Sequence, residues 1–151
     1  MKIAFGTDHA GYQLKRQIME HLHKQGIECE DFGAPNGVDA FSYVPASAAV
    51  ARAVLEKRAD FGIVICGTGL GISIAANKHK GIRAAVCTNE LMARLSRQHN
   101  NANILSLGAR IIGSTLALAI VDAFLNEPFE AGGRHQARVD EIIATEEANF
   151  K

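Results

Sequence analysis

Short apolar segments rich in branched residues alternate with helix-like segments along the whole chain, and this alternation constrains the fold more than any other feature. The apolar run "KIAFG" (2–6) precedes a segment with Leu14, Ile18 and Leu22 at four-residue steps, a helical stripe that Gly26 stops. "IECEDF" (27–32) alternates as a half-exposed edge strand does. "SAAVARAVLEKR" (47–58) reads as a helix. "DFGIVIC" (60–66) and "IRAAVC" (82–87) read as buried parallel strands. "NELMARLSRQHN" (89–100) is a helix leading to a fifth strand, "NILSLG" (103–108). Residues 114–126 form a helix with apolar residues on nearly every face, and residues 132–150 begin at glycines and end as a charged helix.

Such alternation implies right-handed βαβ units and a five-stranded parallel sheet with helices on both faces. The expected fold is three-layer, Rossmann-like, with the flavodoxin-like order 2-1-3-4-5 and the alternating second strand at an edge. In that order the helices after strands 1 and 3 leave on opposite faces, and a crevice opens between the two carboxyl ends. Strand 1 ends at "GTDH" and strand 3 at "ICGTG", so the topology gathers Asp8, His9 and Cys66.

The chain's 151 residues suit one domain spanning 1–151, and 48% hydrophobic against 21% charged residues places it among globular chains. Lys+Arg and Asp+Glu both number 16, so no bulk field draws it to nucleic acid or to a membrane surface. No run of about 18 apolar residues suggests a membrane span. The first residues carry no apolar signal region, and Cys29, Cys66 and Cys87 lack the spacing of a zinc site or a disulfide scaffold. A reducing cytoplasm is the expected compartment. The all-apolar helix at 114–125 lacks the polar stripe of a surface helix, which predicts a partner subunit over it.

The segment "VICGTGLGISIAANK" (64–78) sets Cys66 directly before Gly67, Gly69 and Gly71. Glycines allow a tight turn with uncovered amides, and the helix that follows aims its free N–H groups at the same place. The result is an anion cradle, beside which a sulfur is favoured as thiolate. The bland reading of Cys66 is a small apolar residue ending a buried strand. Three sites fit the turn. A dinucleotide fingerprint matches in part: "GTGLGI" has its third glycine one residue early and follows the third strand, although Glu90 lies near the distance of a ribose-binding acid. A cysteine phosphatase loop wants an arginine where "LGISIAAN" has no basic group. The third reading uses the amides as an oxyanion cradle and the sulfur as a proton-transfer base.

Other polar groups bear on the choice. Asp8 suits a helix N-cap, and His9 at a strand end suits a ligand contact. His99 and Asn100 lie in a polar connection, where solvation is the ordinary explanation. Arg134 and Arg138 stand one helical turn apart, a pair that clamps a phosphate or simply faces water. Arg110 follows strand 5, and Cys29 and Cys87 read as packing.

"GTDHAG", "ICGTGLGISIAANK", "GIRAAVC", "SRQHNNANILSLGARIIG" and "GGRHQARV" together resemble the type B ribose-5-phosphate isomerases, in order and over nearly the whole chain. That family also includes galactose-6-phosphate, allose-6-phosphate and tetrulose-phosphate isomerases. The resemblance implies aldose–ketose isomerisation of a phosphorylated sugar through a cis-enediol, with no metal and no cofactor. It makes Cys66 the base between C2 and C1. Gly67, Thr68, Gly69, Leu70 and Gly71 surround the oxyanion, and His99 opens the furanose ring. Asp8 and Asn100 match hydroxyl-binding positions, and His9, Arg110, Arg134 and Arg138 match phosphate-binding ones. It further implies a homodimer or tetramer whose sites are shared, with His99, Asn100 and Arg110 from the neighbouring chain, and a C-terminal helix, 134–149, packed on a partner.

Two features refine the resemblance. A related branch lacks the cysteine and carries a glutamate within the turn, where this chain has Ile72; that favours Cys66 as base. Many members have an Asp-Tyr-Pro run before the second helix. Here Tyr43-Val44-Pro45 puts Val44 at the tyrosine's place unless Tyr43 substitutes for it, so segment 40–47 leaves the identity of the sugar open. The alternatives are another phosphorylated sugar as substrate, a nucleotide-binding module, and a non-catalytic sugar-phosphate sensor.

Overall fold

The computed structural model describes residues 1–150. Five strands, β1 (Lys2–Thr7), β2 (Glu28–Asp31), β3 (Phe61–Cys66), β4 (Ala84–Val86) and β5 (Ile104–Gly108), form one sheet in which every pairing is parallel. Six helices surround it: α1 (Tyr12–Lys24), α2 (Tyr43–Leu55), α3 (Leu70–Ala76), α4 (Glu90–Asn100), α5 (Ser114–Asn126) and α6 (Arg134–Asn149). A single 3-10 turn, His9–Gly11, joins β1 to α1.

The strand order is β2-β1-β3-β5-β4 rather than 2-1-3-4-5. The last two strands exchange places because the crossover through α3 passes over one position and the return through α4 fills it. Burial gives the reason. All five residues of β5 are buried, whereas β4 is only half-buried, and a parallel strand covered on both faces belongs inside the sheet. The exchange sets Cys66 opposite Gly108, so the turn after β3 is flanked by the ends of both β1 and β5.

Two apolar layers hold the sheet. On one face Leu14, Ile18 and Leu22 of α1 pack with Ile3, Phe5, Ile63, Ile65, Leu105 and Leu107, joined by Ala93 of α4 and by α5. On the other face α2 and α3 pack Val50, Ala51, Ile72 and Ala76 against Ala4, Val64 and Cys66. The expectation that α5 needs a partner's cover does not hold. It lies between α1 and α4 on the sheet, and Ala117, Ile120, Val121, Phe124 and Leu125 are buried within the chain.

One buried charge shapes the approach to the site. Lys15 is 1% exposed; its ammonium donates to the Ala34 carbonyl at 2.7 Å and pairs with Asp31 at 2.8 Å. A buried ammonium needs partners of this kind. The bonds tie down the connection after β2, and the Ala34 amide donates to the Thr7 carbonyl at 3.0 Å, next to Asp8.

Candidate active site

The turn after β3 is built around one sulfur. The Gly69 amide donates to Cys66 Sγ at 3.2 Å, while the Gly69 carbonyl accepts from the buried Ser106 hydroxyl at 2.6 Å. The residue is therefore held through both of its backbone groups. Gly69 has φ +79°, and a Cβ there would come 2.9 Å from the Leu107 carbonyl carbon. Both strain and contact demand glycine. Gly69→Ala is expected to cost about 2–3 kcal/mol of stability and to turn the amide away from the sulfur. Urea unfolding and turnover of the same variant check this; a stable, active Gly69→Ala protein contradicts the geometry.

Around the turn, Thr68 accepts from the Leu70 amide at 3.1 Å, which leaves its own O–H free to donate. Gly71 and Ile72 occupy the first turn of α3, where backbone N–H groups have no helical partner. Ile72 is fully buried and inert. Asp8 caps the 3-10 turn, accepting from the Gly11 amide at 3.1 Å, so its structural role as N-cap is real. The Phe41 amide donates to His9 Nδ1 at 3.3 Å, so the neutral ring carries its proton on Nε2, a donor for an anion. Arg110 lies beside the turn of its own chain, with Nη1 3.2 Å from where a Gly67 Cβ would stand.

Tyr43 resolves the departure in segment 40–47. Its hydroxyl sits over Gly71, 2.6 Å from where a Cβ would be, while Val44 is 53% exposed. Of the two adjacent residues, Tyr43 is therefore the one that faces the turn. Ser42 starts α2 by accepting from the Val44 amide, which makes Tyr43 its first helical residue. Tyr43 escaped assignment because only the packed helix start fixes which of two adjacent side chains points inward.

Cys66 is otherwise covered, at 4% exposure. The thiols of Cys29 and Cys87 are pushed up to about 11 by burial, so they stay protonated and serve as packing.

His99 and Asn100 are not at this turn. They end α4, just before β5 begins, and so lie at the amino edge of the sheet, whereas Cys66 lies at its carboxyl edge. The length of β5 separates the two edges by roughly 15–20 Å. Arg83 fixes the amino-edge segment by donating to the carbonyls of Asn100 and Asn101, and buried Arg97 donates to Ala102 and to the Asn101 side chain. Arg134 and Arg138 share that edge because α6 starts against the end of α4: His135 stacks on His99 with ring centroids 3.8 Å apart. Both arginines are exposed, and Arg138 pairs with Glu141 at 2.8 Å. Asn100 also lines a cavity of about 490 Å³ under α6, with Arg83 and Ile142.

His99, Glu130 and His135 bring three donor atoms within 4.8 Å of one another. The two rings are nearly parallel, at 12°. An ion bound by an imidazole lies close to the ring plane, and a nearby point cannot lie in both of two nearly parallel planes whose rings are stacked face to face. This arrangement does not fit a metal.

Comparisons with known proteins identify the family. Residues 3–142 match the family described as Ribose/Galactose Isomerase. The chain belongs to that family. It is 51% identical over 146 residues to ribose-5-phosphate isomerase B of Escherichia coli, covering 97% of each chain. Its fold matches ribose-5-phosphate isomerase B of Clostridium thermocellum with a TM-score of 0.95 and 55% identity, over 98% of this chain and 99% of the other. A third relative, the Mycoplasma genitalium isomerase solved with bound ribulose-5-phosphate, gives a TM-score of 0.91 at 42% identity over 97% and 96%. As a member of the ribose/galactose isomerase family, the chain is an aldose–ketose isomerase.

Proposed function

We propose that the chain interconverts ribose 5-phosphate and ribulose 5-phosphate, with Cys66 as the base. The observation that carries this reading is the Gly69 amide aimed at Cys66 Sγ, at the carboxyl edge of the sheet where β1 and β3 end side by side. An N–H directed at sulfur stabilises negative charge there. The thiolate takes the proton from C2 of the open-chain aldose. The C2–H electrons form the C1=C2 bond of a cis-enediolate, and the carbonyl electrons move to O1. Amides of the turn, with Thr68, hold the O1 charge; such fixed donors need no reorganisation, and each contributes about 3 kcal/mol. O2 then gives up its proton as O1 takes one, and the thiol, whose proton exchanges with solvent during the lifetime of the enediolate, protonates C1. Asp8, His9 and Tyr43 face the sugar and its phosphate.

The remaining groups come from a second copy. His99, Asn100, Arg134 and Arg138 stand at the opposite sheet edge, so no single pentose phosphate touches both them and Cys66 in one chain. A two-fold dimer that faces one chain's carboxyl edge with the other's amino edge makes two complete sites. Exposed apolar residues beside the turn, Leu70 at 57%, Ile74 at 61% and Ile111 at 58%, suit burial by that partner. The enzyme works as a dimer or larger oligomer in the cytoplasm.

Two measurements test the substrate and the phosphate clamp. Across a panel of four-, five- and six-carbon sugar phosphates, ribose 5-phosphate is expected to have the highest kcat/KM, with NAD and ATP binding undetected. Preference for another sugar replaces the substrate, and nucleotide binding without isomerisation overturns the reading. Arg134→Ala is expected to raise KM by about 10- to 100-fold with little change in kcat, as for loss of one charge-assisted bond to phosphate. An unchanged KM places Arg134 in solvent.

A further inference from the structure

We infer that His135 is a positioning residue for His99: it holds the imidazole that opens the sugar ring in the plane that ring opening requires. This rests on the isomerase reading above. The two rings come from different elements, α4 and α6, yet stack at 3.8 Å with 12° between their planes. The stack is held through the backbone: the Glu130 amide donates to the Gln98 carbonyl at 3.1 Å, which ties the segment leading into α6 to the last turn of α4. The far end of α6 is anchored where Glu146 accepts from the Gly81 amide and Glu147 pairs with Lys80 at 2.8 Å.

Ring opening explains why the plane matters. The anomeric hydroxyl loses its proton, the C1–O bond to the ring oxygen breaks as the C1 carbonyl forms, and the ring oxygen takes a proton. One imidazole serves both oxygens only if its plane contains their directions, and a misplacement of about 1 Å costs up to about 100-fold. Charge suits the task as well. Partial burial, then His99 on α4, then Arg134 on its own helix hold the His135 imidazole below its ordinary range, and Glu130 only partly opposes them.

The test separates ring opening from the carbon-proton step. Ribose 5-phosphate is cyclic and must open. Ribulose 5-phosphate is open-chain, because the C5 oxygen that would close a five-membered ring carries the phosphate. His135→Ala is expected to lower turnover of ribose 5-phosphate by about 10- to 100-fold, while wash-in of solvent deuterium at C1 of ribulose 5-phosphate stays within about twofold. His135→Phe, which keeps a flat ring for stacking, is expected to recover most of the loss. Equal loss of both reactions in a folded His135→Ala protein, or no recovery with phenylalanine, overturns the inference. Cys66→Ala is the control for the reading beneath it: that variant is expected to lose wash-in altogether, and if it keeps wash-in the isomerase chemistry itself is misassigned, whatever His135 does.

Discussion

Cys66→Ala is expected to lower kcat for ribose 5-phosphate by about 1,000-fold or more, a loss near the top of what one proton-transfer group contributes. Binding should change little, because in the proposed site the phosphate is gripped by His9 and the arginines rather than by the sulfur. Titration of the variant with ribose 5-phosphate by calorimetry checks this. The side chain is small and the Gly69 peptide is also held by Ser106, so the turn should survive the substitution. Cys66→Ser keeps the shape and offers a far weaker base; it should sit with alanine rather than with the native enzyme. The other two cysteines serve as internal controls. Burial holds the thiols of Cys29 and Cys87 near 11, and Cys29→Ala or Cys87→Ala should leave turnover within about twofold.

The second large effect is complementation. His99→Ala and Cys66→Ala proteins are each expected to be nearly inactive on ribose 5-phosphate. Mixed in equal amounts and allowed to exchange subunits, they should regain about a quarter of native activity, since half the dimers are hybrids and each hybrid holds one intact site of two. The arithmetic follows from the two sheet edges. In the proposed dimer an intact site draws Cys66 from one chain and His99 from the other, and only a hybrid contains such a pair. If both groups served the same site within one chain, no hybrid would be active and mixing would restore nothing.

The alternation of elements was legible in the sequence because each periodic segment is a local property. The stripe Leu14, Ile18, Leu22 and the edge strand Glu28–Asp31 form as their patterns indicate. The order of the last two strands was not legible. Both orders satisfy right-handed crossovers, and the deciding fact, that β5 is buried on both faces and β4 is not, belongs to packing. Helix α5 misled for a related reason: its apolar faces meet α1 and α4, and a single helix does not announce how many neighbours it has. Among the site residues, Asp8, His9 and Cys66 were readable as a group because adjacent strand ends collect them. The distance between His99 and Cys66 was not, since it depends on which end of a strand each residue occupies. Arg110 joins the Cys66 turn for the same topological reason that β5 neighbours β3. The histidine inside "GGRHQAR" drew no notice beside the two arginines; its meaning appears only when α6 lays it on His99.

The most direct measurement of the central claim, that a thiolate passes a proton between C2 and C1, is proton NMR of ribose 5-phosphate incubated with the native enzyme in deuterated water. The account predicts that the ribulose 5-phosphate formed, and the ribose 5-phosphate re-formed from it, take up solvent deuterium at C1 and C2 respectively. Conversion in which the migrating hydrogen is kept throughout, with no deuterium entering either carbon, would contradict a thiol that exchanges its proton with solvent between the two carbons and leave direct hydrogen transfer as the alternative.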